Sequence, residues 1–327
     1  MKAAWYERSG AARDVLRVGE LPDPVPGPGE VRVRIATSGI NPSDVKRRAA
    51  LTGPPTERRV IPDSDGAGVI DAAGPGVALR QVGERVYTYN AQWQRPDGTS
   101  AGYCVLPEHL VAPLHDESFA AGACLGIPAM TAHQAVFSNG DVRGLTVLVT
   151  GGAGAVGHYA VQWAHWGGAR VIATVSSAAK ADLARAGGAD AVIDYRQEDV
   201  AERVLELTGG VGVDRVVEVD FTANVAQNLK LVRPNGVIAA YASSARECVL
   251  PWQAMMVRGI EVDGVYVYTM KPAERNRALA DLDVMLRRRG LIHNVAARFP
   301  LEDIVAAHEL QESGKAVGNV IIEVQGV

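Results

Sequence analysis

The chain has 327 residues, 47% hydrophobic and 21% charged, with a net charge of −4, which fits a two-domain globular protein and excludes an extended basic face for nucleic acid or anionic membrane. Three scattered cysteines, Cys104, Cys124 and Cys248, exclude a disulfide framework and a cysteine-rich zinc lobe. No run approaches the roughly 18 apolar residues of a membrane span, and MKAAWYERSG lacks a signal-peptide core, so the expected location is cytoplasmic. Arginine outnumbers lysine and alanine is abundant, a composition expected of a GC-rich bacterial genome.

Residues 1–120 read as short strands and turns. LPDPVPGPGE is a loop that proline and glycine keep out of helix. In VRVRIAT, Val31, Val33 and Ile35 alternate with Arg32 and Arg34, the period of a half-buried strand. GAGVIDAAGPGV and GERVYTY continue as strands, so the block predicts a barrel-like domain. FAAGACLGIPAMTAHQAVF then reads as helix, interrupted by Pro128. From LTVLVT (145–150) onward, buried apolar runs alternate with amphipathic segments. That βαβαβ series predicts a doubly wound parallel sheet. GIEVDGVYVY (259–268) is its last expected strand, ERNRALADLDVMLRRRG and LEDIVAAHELQES are helices, and VGNVIIEV is a closing strand. The expected arrangement is a nucleotide domain over 123–271 inserted into a domain built from 1–122 and 272–327.

VLVTGGAGAVG carries Gly151, Gly154 and Gly157 between a buried strand and an apolar-faced helix. Glycine there permits a tight turn, close approach of a pyrophosphate and close strand–helix packing, and the helix N-terminus adds partial positive charge. The spacing alone is weak, because 35 glycines produce it by chance, and a plain βα turn is its bland alternative. An NAD site places Asp or Glu at the end of the second strand to hold the ribose 2′-OH. Here that strand ends TVSSAAK, where Ser176, Ser177 and Lys180 suit a 2′-phosphate, so NADPH is the expected cofactor. Ser177 also reads as a plain helix N-cap and Lys180 as a solvated side chain.

The seven histidines form no HxH or HxxxH pair, and His158 and His165 read as surface or edge-of-core residues. No catalytic metal is expected. SGINPSD reads as a helix start, with Asn41 as N-cap, Pro42 at the first position and Asp44 at the third.

PGPGEVRVRI, SGINPSDVK, IPDSDGAGVI, GDVRGLTVLVTGGAGAVG, GADAVIDYRQED, VRPNGVIAAYAS and SGKAVGNVII occur in an order and spacing that span nearly the whole chain. In these the chain resembles the medium-chain dehydrogenase/reductase superfamily, and within it the zinc-independent quinone oxidoreductases typified by zeta-crystallin. The resemblance implies a Rossmann sheet inserted into a mostly-β GroES-like barrel domain. Asn41 and Ser64 stand where zinc-dependent relatives carry a cysteine and a histidine ligand. The resemblance implies that Asn41 lies beside the nicotinamide and the acceptor carbonyl, and that Thr131 contacts the nicotinamide end. It places Ala155, Val156 and Gly157 at the pyrophosphate, and Ser176, Lys180 and Tyr195 at the 2′-phosphate. Tyr241 and Ser243 would line the cofactor, as would Asn319, which stands where many relatives carry lysine. Lys46 stands where several quinone reductases carry tyrosine, and either a substrate contact or a solvated face suits it.

The implied reaction is NADPH-dependent, metal-free reduction of a quinone, by hydride or electron transfer. An enoyl or alkenal double-bond reductase is the alternative, and an NADPH-binding structural module a third reading. The partners expected are a small-molecule quinone or enone and a second copy of the chain in a homodimer, with no nucleic acid or membrane.

Overall fold

The alternating N-terminal block folds into β1 (Lys2–Trp5), β2 (Arg17–Glu20), β3 (Glu30–Ile40), β4 (Asp65–Ala73), β5 (Arg85–Thr88), β6 (Tyr103–Pro107) and β7 (Val111–Pro113). The structure is a computed structural model, and it describes residues 1–53 and 58–325. Its packing divides the chain into one compact unit of Met1–Pro128 with Leu279–Val327 and a second of Ala129–Ala278.

In the first unit β1 and β2 form a small ribbon, and the main sheet is completed by β14 (Val295–Pro300) and β15 (Asn319–Glu323). Its order is β14-β15-β3-β4-β5-β7, with β6 also paired to β3; only β14 and β15 run parallel. Val31, Val33 and Ile35 point into a core with Ile70, Val86, Leu106 and Val111, as their alternation predicts. A second core joins Ile40 and Val45 to Leu301, Ile304, Val320 and Ile322. Sequence reading missed β14, an edge strand whose short, proline-ended alternation is half exposed.

The second unit carries β8 (Thr146–Val149), β9 (Arg170–Val175), β10 (Ala191–Asp194), β11 (Val213–Glu218), β12 (Val232–Ala240) and β13 (Glu261–Gly264). They form one parallel sheet in the order β10-β9-β8-β11-β12-β13, doubly wound about β8. Strand order reverses between β8 and β11, where such sheets open a ligand crevice at their C-terminal ends. Leu148, Ile172, Ile193, Val204, Val216, Leu231 and Ile238 form a core here.

Three local expectations change. The helical stretch around Pro128 divides into a helix Phe119–Gly122, a π-helical turn Leu125–Ala129 and a helix Met130–Phe137, because Pro128 lacks the N–H that a regular ladder needs. The strand expected over 259–268 ends at Gly264 and gives way to a 3₁₀ turn, Val267–Thr269. His158 is 1% exposed on the helix Ala155–Trp166, while His165 is exposed; the apolar residues flanking His158 mark the face that packs inward.

Candidate cofactor and active site

β8 delivers the chain into the glycine turn, and the neighbouring strand ends hold that turn in shape. Thr174 on β9 receives two of its amides: Gly151 N–H donates to Thr174 Oγ1 at 3.2 Å and Gly152 N–H to the Thr174 carbonyl at 2.9 Å. Gly151 adopts φ +67°, the left-handed region that glycine enters without strain. A Cβ on Gly157 would stand 2.2 Å from the Gly151 carbonyl oxygen, so only glycine lets the helix start this close to the turn. Gly154 is the N-cap of the 12-residue helix Ala155–Trp166. The N–H groups of Ala155, Val156 and Gly157 in its first turn have no carbonyl one turn back inside the helix, and they carry the positive end of its dipole. This cradle fits a pyrophosphate.

At the ends of β9 and β10 the chain gathers the residues expected at a 2′-phosphate. Ser177 caps the helix Ala178–Ala186 by accepting from Lys180 N–H, and Lys180 Nζ donates to Ser176 Oγ at 2.8 Å. Tyr195 follows β10 directly, its N–H donating to the Val175 carbonyl at 3.0 Å and its ring half exposed. Ser176, Ser177, Lys180 and Tyr195 therefore share one corner of the second unit. Ser177 is the helix cap its local sequence predicts, and the Lys180 ammonium is directed to a serine rather than to a carboxylate.

The loop after β12 is tied to the N-terminus of the helix Phe221–Leu231 through Asp220. Asp220 accepts from the N–H and the hydroxyl of Ser244, both at 2.9 Å, and Ser243 Oγ donates to Thr222 Oγ1 at 2.9 Å. These bonds outweigh the Asp220 carboxyl's partial burial and hold its pKa below the ordinary value. Tyr241 N–H donates to the Glu218 carbonyl, and burial, with Glu218 adding to it, pushes the Tyr241 phenol up. Glu218 itself is fully buried and accepts from Asn224 and Asn228.

In the first unit, Asn41 directly follows β3 and caps the helix Pro42–Arg48, with Pro42 in its first turn and Asp44 at the third position, as its local sequence predicts. Asn41 N–H donates to Asp44 Oδ2 at 2.8 Å. Its side chain does something the sequence did not announce: Nδ2 donates to Asp65 Oδ2 at 2.8 Å, and Ile127 N–H donates to the same oxygen at 3.0 Å. Asn41 is 4% exposed and Asp65 fully buried. Desolvation, only partly offset by these two bonds, raises the Asp65 carboxyl to about 7, and Asp44 lies well above its ordinary range for the same reason, with Asp63 adding repulsion. Asp63, at φ +74°, accepts from Ser100 Oγ, and its Oδ1 lies 3.5 Å from His308 Nε2, both groups fully buried. Ser38 and Thr99 hydroxyls join at 2.7 Å, and Thr99 Oγ1 donates to the Asp65 carbonyl at 2.6 Å. The signal that sequence reading misses in IPDSDGAG is its pair of aspartates, Asp63 and Asp65.

Lys46 lies in the last turn of the same helix, half-buried. Thr131 is buried near the start of the helix Met130–Phe137 in the second unit. Asn319 lies one residue beyond the last paired position of β15 and β3, Val320 opposite Ile40, which puts it in register with Asn41. Its amide donates to the Asn294 carbonyl at 3.0 Å, a structural use that sequence reading did not foresee.

Two family models match, one described as "Alcohol dehydrogenase GroES-like domain" over residues 27–116 and one as "Zinc-binding dehydrogenase" over residues 155–283. Among curated proteins, a 2-haloacrylate reductase of a Burkholderia species is 32% identical over 91% of each chain. A quinone oxidoreductase of Pseudomonas aeruginosa is 31% identical over 94% of this chain and 95% of its own. The chain belongs to the quinone oxidoreductase family of medium-chain dehydrogenases/reductases. It is an oxidoreductase of that family. Among solved structures, a mycobacterial protein in complex with NADPH superposes with a TM-score of 0.87 at 31% identity, covering 99% of this chain and 100% of the other. An NAD-dependent alcohol dehydrogenase gives 0.89, also at 31% identity, with the same coverage. Among the described residues of this family member, no group of three or more His, Cys, Asp or Glu side chains is placed to hold a metal ion.

Proposed function

We propose that the chain reduces a quinone at the expense of NADPH. The observation that carries the cofactor choice is the corner of Ser176, Ser177, Lys180 and Tyr195, with a cation and two hydroxyls at the end of β9 and no carboxylate from Thr174 to Lys180. Ala155, Val156 and Gly157 would donate to the pyrophosphate, with Gly151 and Gly154 shaping the turn. Tyr241, Ser243, Asn319 and Thr131 are proposed to line the rest of the cofactor. When bound, NADPH supplies a hydride from its nicotinamide ring.

The acceptor must then be electrophilic already, because these residues offer hydrogen bonds rather than a Lewis acid. Asn41 has a second amide N–H, beyond the one given to Asp65, to donate to the oxygen on which charge develops. Lys46 or water delivers the proton that completes the hydroquinone. A conjugated double bond next to a carbonyl or carboxylate meets the same requirement. The likeness to the 2-haloacrylate reductase supports that second reading, reduction of an activated alkene.

We also infer a homodimer formed through β13, the edge strand of the second unit's sheet. An open edge invites pairing, and Val262 on it is exposed, as are Trp252, Met256 and Val257 on the helix before it.

The test is NADPH oxidation, with a chelator present, against 9,10-phenanthrenequinone, 1,4-benzoquinone, 2-chloroacrylate and a trans-2-enal. Turnover of the quinones supports the first reading, and turnover confined to the alkenes favours the second. NADPH binding without oxidation by any acceptor would sink both and leave the structural module.

A further inference from the structure

We propose that Asp65 is a positioning residue for Asn41: it fixes the orientation of the Asn41 amide so that an N–H, and never the carbonyl, faces the acceptor oxygen. The proposal rests on the reading of Asn41 given above. With Ile127 N–H donating to it, Asp65 Oδ2 accepts hydrogen bonds in either protonation state of the carboxyl, whereas an asparagine amide donates on one side and accepts on the other. Asp65 Oδ2 already receives Ile127 N–H, so the oxygen of Asn41 cannot turn toward it without setting two acceptors face to face. The Asn41 amide therefore has one stable orientation.

The surroundings hold Asp65 itself in place. It opens β4, with Gly66 paired to Ser38 and to Thr88 on the flanking strands, and its backbone carbonyl is held by Thr99 Oγ1. On the other side the π-helical turn closes over it: a Cβ at Gly126 would meet Asp65 Oδ1 at 2.1 Å. Oδ1 is buried with no hydrogen-bond partner among the described residues, so the carboxyl is not there to satisfy a second donor. An asparagine at this position would accept the same two N–H groups and would be less costly to bury. Held by Ile127 N–H, that amide would keep its oxygen toward Asn41 and preserve the orientation, whereas an alanine would leave Asn41 without the acceptor that orients it.

The test compares the wild-type chain with Asp65→Ala, Asp65→Asn, Asn41→Ala and the Asp65→Ala/Asn41→Ala double variant, measuring NADPH affinity and steady-state reduction of phenanthrenequinone. Asp65→Ala should lower kcat tenfold or more while NADPH Kd stays within twofold, Asp65→Asn should retain kcat within threefold of wild type, and Asp65→Ala should have no further effect on kcat in the Asn41→Ala background. An Asp65→Ala kcat within twofold of wild type, an equal loss in Asp65→Asn, or an equal loss in the Asn41→Ala background overturns the proposal. A second measurement needs no variant and no turnover: of the two Asn41 side-chain amide hydrogens, one should exchange slowly with solvent. Exchange of both at the rate of a free amide overturns the proposal even in an active enzyme. A slow hydrogen in a chain that reduces no acceptor supports the Asp65–Asn41 link and counts against the proposed reaction alone.

Discussion

Gly157→Ala should damage cofactor binding far more than its size suggests. The added Cβ would lie 2.2 Å from the Gly151 carbonyl oxygen, and real Cβ atoms essentially never come within 3.0 Å, so the turn must open by about 0.8 Å, the difference of the two. An N–H···O bond stretched that far from its ordinary length of roughly 2.9 Å is lost. Bonds from the first-turn amides to a pyrophosphate are charge-assisted, roughly 1.5–3 kcal/mol each. Losing two costs about 3–6 kcal/mol, or on the order of 10²–10⁴ in Kd. Gly154→Ala is the control, since its Cβ would stand 3.3 Å from the same oxygen in an ordinary backbone conformation, φ −72° and ψ 171°. That contact needs a few tenths of an ångström of adjustment, and the expected loss is less than about tenfold. NADPH titration by fluorescence or calorimetry reads both. The reasoning fails if Gly157→Ala binds within threefold of wild type, or if Gly154→Ala loses as much.

Lys180→Glu should raise the Kd for NADPH by about 10–100-fold, from the loss of a charge-assisted bond and the addition of repulsion, while changing NADH affinity little; parallel titrations with the two cofactors check it, and equal effects on both would remove the 2′-phosphate assignment. Asp65→Asn should change how stability depends on pH. The folded pKa of Asp65 is raised from 3.8 to about 7, so its contribution is fully present below about 3.8 and is lost as pH rises through about 7. A rise of about three units at 1.36 kcal/mol each corresponds to about 4 kcal/mol, and the variant should gain on wild type by about that much between pH 4 and 8. Urea midpoints at the two ends read the difference; parallel curves would show that Asp65 is not the titrating group. Val262→Lys should leave NADPH binding intact and shift the light-scattering mass from two chains to one, and an unchanged mass would move the dimer interface elsewhere.

Local chemistry was legible and long-range chemistry was not. The Asn41–Pro42–Asp44 helix start could be read because a cap, a first-turn proline and a third-position acid act within one turn. The strands β8 and β9 were visible as unbroken apolar runs, and the glycine turn by its place between a strand and a helix. Nothing near Asn319 indicates that its amide reaches a carbonyl 25 residues away, and nothing near Asn41 indicates a carboxyl 24 residues on. Such partners are set by strand pairing and leave no periodic trace. Pro128 signalled an interruption, but a proline does not say whether the helix stops or widens into a π-turn around a buried carboxylate.

The first unit is discontinuous along the chain, and this has a consequence for its synthesis. β3 has β4 along one edge and β6 along the first half of the other early, but the second half of that edge, residues 37–40, waits for β15, with Val320 opposite Ile40. The small core of Ile40 and Val45 also waits for Leu301, Ile304 and Ile322. The second unit, Ala129–Ala278, has all six of its strands in one uninterrupted run. On a ribosome the nucleotide unit therefore closes first, while the second half of β3 still shows unpaired backbone to its surroundings. The helix that Asn41 caps packs against the last helix of the chain, Ile304–Glu312, with Arg48 bonded to Glu312. A nascent chain gains its cofactor cradle before the proposed acceptor site is assembled.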